Sequence, residues 1–291
     1  MTSAVECVWP VGAMLGEGPF WSADEQAVWF VDIKGRAIHR YHEPSGQTRS
    51  WSAPSDPGFI FPAQDGSLVC GLKTGLHRFD PKTGEFTLLE RIEPHAPHNR
   101  LNDGYVDPDG YLWFGSMDDH ERDATGALYQ LMQRGSESRD AGYVITNGPA
   151  CSPDGRTLYH TDTLEKVIYA FDRTAAGDLS GKRVFCRIGE NDGHPDGPGV
   201  DSQGVLWSGL YGGWGLNRYA PDGRLLGKLA VPCANVTKAA FGGEDLRTLY
   251  ITTAWKGLSD EQRGQQKLAG GLFRVRVDVA GLPQGKIAHG L

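Results

Sequence analysis

Asp109-Gly110-Tyr111-Leu112-Trp113-Phe114-Gly115 is a polar turn that runs into an apolar, aromatic pair and stops on a small residue. The same signature stands at Val28-Trp29-Phe30-Val31-Asp32, Asp65-Gly66-Ser67-Leu68-Val69-Cys70-Gly71 and Asp154-Gly155-Arg156-Thr157-Leu158-Tyr159-His160. It returns at Gly204-Val205-Leu206-Trp207-Ser208-Gly209 and Leu246-Arg247-Thr248-Leu249-Tyr250-Ile251. Its central residues, Trp29, Val69, Trp113, Tyr159, Trp207 and Tyr250, are 40, 44, 46, 48 and 43 residues apart. A second motif follows each copy and reads as a half-buried strand entering a turn. Its copies are Ile38-His39-Arg40-Tyr41, Leu76-His77-Arg78-Phe79, Leu128-Tyr129-Gln130-Leu131, Ile168-Tyr169-Ala170-Phe171, Leu216-Asn217-Arg218-Tyr219 and Leu272-Phe273-Arg274-Val275. Two motifs in step, six times over, at the length of a four-stranded unit, predict an all-β, six-bladed β-propeller. Residues 1–291 would form one such domain. A β-sandwich would show turns every 8–12 residues or so without the longer period. Val5-Glu6-Cys7-Val8-Trp9 is expected to complete the last blade and lock it to the first.

Composition agrees with many short strands and tight turns: 40 glycines, 17 prolines, and no strong amphipathic helix of useful length. A net charge of −7 gives a nucleic-acid partner no electrostatic support. The five cysteines are scattered without a CxxC pair, so neither a disulfide framework nor a thiolate zinc site is indicated. The N-terminus lacks a basic segment followed by an apolar one, and no apolar run is long enough to span a membrane. A cytoplasmic protein without a membrane partner, monomeric or weakly homo-oligomeric, is expected.

Four stretches remain over-specified once plain turns are set aside: Leu15-Gly16-Glu17-Gly18-Pro19-Phe20-Trp21, Asn99-Arg100-Leu101-Asn102-Asp103-Gly104, Ile145-Thr146-Asn147-Gly148-Pro149 and His194-Pro195-Asp196-Gly197-Pro198-Gly199. Glu17, Asn102, Asn147 and Asp196 precede the central residue of their repeat by 12, 11, 12 and 11 positions. Equivalent places in successive blades meet at the axis, so these four should converge at one end of the channel. Carboxylates and amide oxygens gathered there call for a cation, and all-oxygen ligation suits Ca²⁺, Mg²⁺ or Mn²⁺, with Fe²⁺ or Zn²⁺ also open. Any single Asn-Gly or Asp-Gly could be a turn former; four in phase, one of them the non-turn residue Glu17, point to a site. Other candidates are weaker. Pro97 breaks any helix that would aim His95 and His98 together, Ser116 and Ser208 lack a nucleophile elbow, and Cys151 reads as a buried strand residue. Gly212-Gly213-Trp214-Gly215 joins two strands and opens no helix, so it is no dinucleotide fingerprint.

At these motifs, together with Phe241-Gly242-Gly243 and Ala269-Gly270-Gly271-Leu272-Phe273, the chain resembles the regucalcin, gluconolactonase and sugar-lactone hydrolase (senescence marker protein-like) family over nearly its whole length. Tyr159-His160-Thr161-Asp162-Thr163 and Ala234-Asn235-Val236-Thr237-Lys238 point further, to bacterial pentonolactonases such as xylonolactonases and arabinonolactonases. The resemblance implies a metal-dependent lactonase that opens sugar-acid lactones, pentonolactones first, in sugar catabolism. It implies one divalent cation on Glu17, Asn147 and Asp196, with Asp196 also moving the proton. Arg100 and Asn102 would bind the sugar hydroxyls. A further acid falls at Asp119 or Glu121, with Glu121 taken as the substrate contact, and Trp214 or Tyr211 could wall the ring. Two rivals are a binding propeller with a purely structural metal and a paraoxonase-like esterase; the latter resembles secreted proteins.

Overall fold

The computed structural model describes residues 4–291. Its first strand, β1 (Glu6–Trp9), belongs to the last blade, and the others follow blade by blade. Blade 1 holds β2 (Gly16–Ser22), β3 (Ala27–Asp32), β4 (Ala37–His42) and β5 (Thr48–Ser52). Blade 2 holds β6 (Pro57–Pro62), β7 (Leu68–Leu72), β8 (Gly75–Asp80) and β9 (Glu85–Glu90). Blade 3 holds β10 (Asn99–Val106), β11 (Leu112–Asp118), β12 (Gly126–Met132) and β13 (Gly135–Tyr143). Blade 4 holds β14 (Thr146–Cys151), β15 (Thr157–Asp162), β16 (Val167–Arg173) and β17 (Leu179–Arg187). Blade 5 holds β18 (His194–Val200), β19 (Leu206–Tyr211), β20 (Gly215–Tyr219) and β21 (Leu225–Ala230). Blade 6 holds β22 (Asn235–Gly242), β23 (Thr248–Ala254) and β24 (Leu272–Arg276), and β1 pairs antiparallel with β24 as its fourth strand. This is the expected six-bladed ring, closed by the N-terminal strand. The one helix among the described residues, α1 (Asp260–Gln265), lies between β23 and β24 and is capped by Ser259.

The two repeated motifs are the second and third strands of each blade. The second strands are covered on both faces by neighbouring blades, which is why β11 and β23 are buried along their whole length. The fourth strands are the outer edges, and β5, β9 and β21 expose most of their residues. The recurrent turn aspartates brace some blades: Asp107 accepts from the Asp109 and Tyr111 amides and from the Trp113 indole. Asp201 does the same for Gln203, Val205 and Trp207.

The innermost strands line the axis, and every one of them carries a register shift early in its course. The shifts fall between Glu17 and Phe20, Pro57 and Phe59, Leu101 and Gly104, Asn147 and Ala150, Pro195 and Pro198, and Val236 and Ala239. A bulge sets two residues against one and re-aims a side chain out of the regular alternation. Six bulges at one level therefore turn a ring of residues toward the axis. Beyond β24 the chain crosses the opposite end of the channel. Leu282, Pro283, Gln284 and Gly285 line a cavity of about 80 Å³ there, with Pro19, Trp21, Tyr105 and Phe241. Ile287 then pairs with Ala63 of blade 2, and His289 stacks on Tyr111 of blade 3.

Candidate metal and substrate site

The bulges deliver the expected residues to one place. Glu17 from β2, Arg100 and Asn102 from β10, Asn147 from β14 and Asp196 from β18 line a single cavity of about 200 Å³. Glu121, Thr163, His194, Tyr211 and Lys256 complete its wall from the loops and strand ends above. These five side chains, Arg100 from regular register just ahead of its bulge and the others from the bulges or their edges, are buried, none more than 5% exposed. Blade 2 sends no side chain: its bulge residue is Gly58, and a β-carbon there would stand 2.3 Å from the Asn102 carbonyl oxygen.

The polar groups are chained together. Arg100 Nε donates to Asp119 at 2.8 Å, and its Nη1 donates to Asn102 Oδ1. Asn102 Nδ2 donates to the Thr146 carbonyl and to Asn147 Oδ1 at 3.0 Å. Asn147 Nδ2 donates to Thr163 Oγ1 at 2.9 Å. Beneath them Lys238 Nζ donates to both oxygens of Asp103, at 2.7 and 2.8 Å, and to the Gly104 carbonyl. Asp103 also accepts from the Gly148 amide, which ties it to the strand that carries Asn147.

Two carboxyls face this cavity without matching positive charge. Burial, then the negative charges of Asp196 and Asp103, raises the Glu17 pKa well above the usual carboxylate range. Burial, and to a lesser degree Asp103, likewise raises that of Asp196, against the lowering effect of a contact with the Glu17 carboxyl. Lys238 lowers both, but its ammonium is already shared with Asp103. Asp196 Oδ1 is buried with no hydrogen-bond partner, although an orphaned buried acceptor is costly. Such a pair of desolvated anions fits a small hard cation, which would relieve the repulsion and satisfy the bare oxygen. Among the described residues no three His, Cys, Asp or Glu side chains gather to hold a metal. Asn147 lines the same cavity as the two carboxyls and brings an amide beside them.

The two acids that the sequence left open are separated by the structure. Asp119 bonds Lys34 at 2.6 Å, Lys73 at 3.3 Å and Arg100, and these cations hold its pKa well below the usual range against the effect of burial. Glu121 lines the cavity instead and pairs with Lys256 at 2.6 Å, a bridge from blade 3 to the opposite blade 6. Tyr211 also walls the cavity, whereas Trp214 does not line it and is half exposed, a correction to that expectation. His95 and His98 stay in turns ahead of β10. Cys151 is buried, and burial pushes its thiol pKa far up.

Gly58 went unnoticed in the sequence, and Asp103 and Lys238, although inside quoted motifs, were given no role of their own. A signal was present: Gly58 precedes Val69 by 11 residues and Lys238 precedes Tyr250 by 12, in phase with the four residues singled out. A glycine offers no chemistry to notice, and a lysine is an unexpected neighbour for a metal.

The chain is similar to known proteins along nearly its whole length. The family model described as "SMP-30/Gluconolactonase/LRE-like region" matches residues 15–255. A 6-deoxy-6-sulfogluconolactonase of Pseudomonas putida is 34% identical over 97% of each chain. An L-arabinolactonase of Azospirillum brasilense is 35% identical over 94% of this chain and 92% of its own. Among solved structures, a calcium-binding protein, regucalcin, from Agrobacterium tumefaciens superposes with a TM-score of 0.94 at 28% identity, covering 98% of this chain and 97% of that one.

Proposed function

The chain belongs to the SMP-30/gluconolactonase/LRE-like family, and from that premise we propose that it is a metal-dependent lactonase that opens sugar-acid lactones to the free aldonic acids. The observation that carries this reading is the meeting of Glu17, Asn147 and Asp196, two desolvated carboxyls and an amide, beside Arg100, Asn102 and Glu121 in one cavity. Glu17, Asn147 and Asp196 hold one divalent cation. A cation held by these three residues would supply Lewis-acid polarisation of the lactone carbonyl and orientation of water.

The chain's own residues do the rest. Asp196 Oδ1, buried and without a protein partner, takes the proton of the attacking water and returns it to the ring oxygen as that bond breaks. Arg100 keeps Nη2 free of any protein partner among the described residues, since Nε and Nη1 are engaged with Asp119, Leu101 and Asn102. That free donor meets a hydroxyl of the sugar ring. Glu121 accepts from a second hydroxyl, and Tyr211 flanks the ring. The substrate is a pentonolactone, a reading supported by the arabinolactonase relative and by a cavity of only about 200 Å³. A pH-indicator assay over pentonolactones and hexonolactones, with Ca²⁺, Mg²⁺, Mn²⁺, Fe²⁺ and Zn²⁺ each added to metal-stripped protein, tests it. The expected result is hydrolysis that returns only with metal and is fastest on a pentonolactone. Undiminished hydrolysis by stripped protein would overturn metal dependence. Failure on every lactone would leave a binding propeller with a structural metal.

A further inference from the structure

Asn147 can serve as a ligand only if its amide oxygen, and not its amide nitrogen, faces the cavity, and the two groups are nearly the same size. The hydrogen-bond chain removes that ambiguity. A guanidinium has donors only, so the Asn102 group that meets Arg100 Nη1 must be Oδ1. Asn102 then presents Nδ2 to its other neighbour, and that neighbour must be Asn147 Oδ1. Asn147 Nδ2 is left pointing away, and the acceptor waiting for it is Thr163 Oγ1 at 2.9 Å. Reversing either amide would set two donors or two acceptors against each other in a dry site. Thr163 is 7% exposed and stands in the loop after β15, with its own amide bonded to the Ile145 carbonyl. Its carbonyl also faces His194 Nδ1 at 3.3 Å. One residue therefore touches both the strand that carries Asn147 and the strand that carries Asp196.

We infer that Thr163 is a positioning residue for the metal centre: its hydroxyl closes a one-directional chain, begun at Arg100, that fixes the Asn147 amide with Oδ1 toward the cation. The inference rests on the ligand set proposed above. Thr163→Val keeps the β-branch and the carbonyl contact with His194 and deletes only the hydroxyl, leaving a buried Asn147 N–H without an acceptor. Outer partners of metal ligands are commonly worth about 10- to 100-fold in affinity.

The test is Mn²⁺ binding to the metal-stripped full chain, followed by loss of the free-ion electron paramagnetic resonance signal, with thermal melts alongside. Thr163→Val should weaken Mn²⁺ binding by about 10-fold or more, with a lowered melting temperature from the unpaired Asn147 N–H but a cooperative melt that shows the fold is kept. Thr163→Ser, which restores the acceptor, should return it toward wild type. Should Thr163→Val fail to fold, Thr163→Ala provides the same deletion without the added methyl, and the Ser variant still reports rescue. Wild-type affinity in Thr163→Val, or no recovery in Thr163→Ser, overturns the positioning role. Asn147→Ala separates the two levels. If it loses Mn²⁺ while Thr163→Val does not, the chain is wrong and the ligand set stands. If it binds Mn²⁺ as wild type does, the ligand set itself is wrong.

Discussion

Asp196 and Glu17 sit in the same dry cavity with different tasks, and substitution separates them. Glu17→Gln preserves size and one oxygen but removes a charge, so divalent-ion affinity should fall while the melting curve of the stripped protein is kept or improved. The improvement follows because burial of Glu17 beside Asp196 and Asp103 disfavours its anion. Calorimetric titration with Ca²⁺ checks this; unchanged affinity would remove Glu17 from the ligand set. Asp196→Asn keeps an oxygen for the metal yet cannot accept a proton. With full metal occupancy verified, kcat should drop about 10²-fold or more, the usual size for loss of general-base catalysis. Turnover near the wild-type rate would assign proton transfer elsewhere. Arg100 heads the chain that ends on Asn147. Arg100→Ala is therefore expected to raise KM through lost hydroxyl contact and to weaken metal binding as well.

At the level of the strand, the bulge rather than the residue type creates the site, and blade 2 shows it by contrast. Gly58 holds the bulge position but sends nothing inward, because the backbone of β10 presses where its β-carbon would be. Gly58→Ala must push Leu101 and Asn102 aside, so both melting temperature and divalent affinity should fall; an unperturbed variant would mean that β10 yields freely. Much of this was legible in sequence. The polar turn followed by apolar strand residues set the blade count, and the 11- and 12-residue phase found Glu17, Asn102, Asn147 and Asp196. Period carries no information about reach, however. Asp119 and Glu121 are two residues apart, and only the turn after β11, where Glu121 takes a left-handed φ of 58°, sends one into the cavity and the other to Lys34 and Arg100. Nor could period show that Lys238 neutralises Asp103, since the two are 135 residues apart and meet only through ring closure.

The whole ring has a weakness toward acid that lies away from its axis. His160 is buried in β15 with neither ring nitrogen partnered, and burial lowers its pKa from 6.5 to about 3. Burial likewise lowers His39, in β4, to about 4, against a smaller opposing effect of Asp32. Both stay neutral when folded, whereas the unfolded chain takes up protons as pH falls through 6.5. The share of stability due to these two histidines is thus full above that value and is lost progressively below it, toward the folded values, at up to about 1.4 kcal/mol per pH unit for each. Glu17 and Asp196, whose pKa values are raised in the folded chain, take up protons in the same range and oppose this. The check is therefore a difference: in urea melts between pH 7 and pH 5 His160→Leu should lose less stability per pH unit than the wild type, and an equal slope in the two chains would remove His160 from the acid response. The two ends of the axis differ more plainly still. One opens on Glu121 and Lys256, while the other is crossed by Leu282–Gly285 and tied down at Ala63 and Tyr111. The axis is a blind well, so whatever comes in must back out over the same threshold. Spent acid and fresh lactone queue for one doorway and one site, so added aldonate should raise the apparent KM and leave kcat untouched; a fall in kcat would mean that the acid also binds the lactone-loaded chain at a second place.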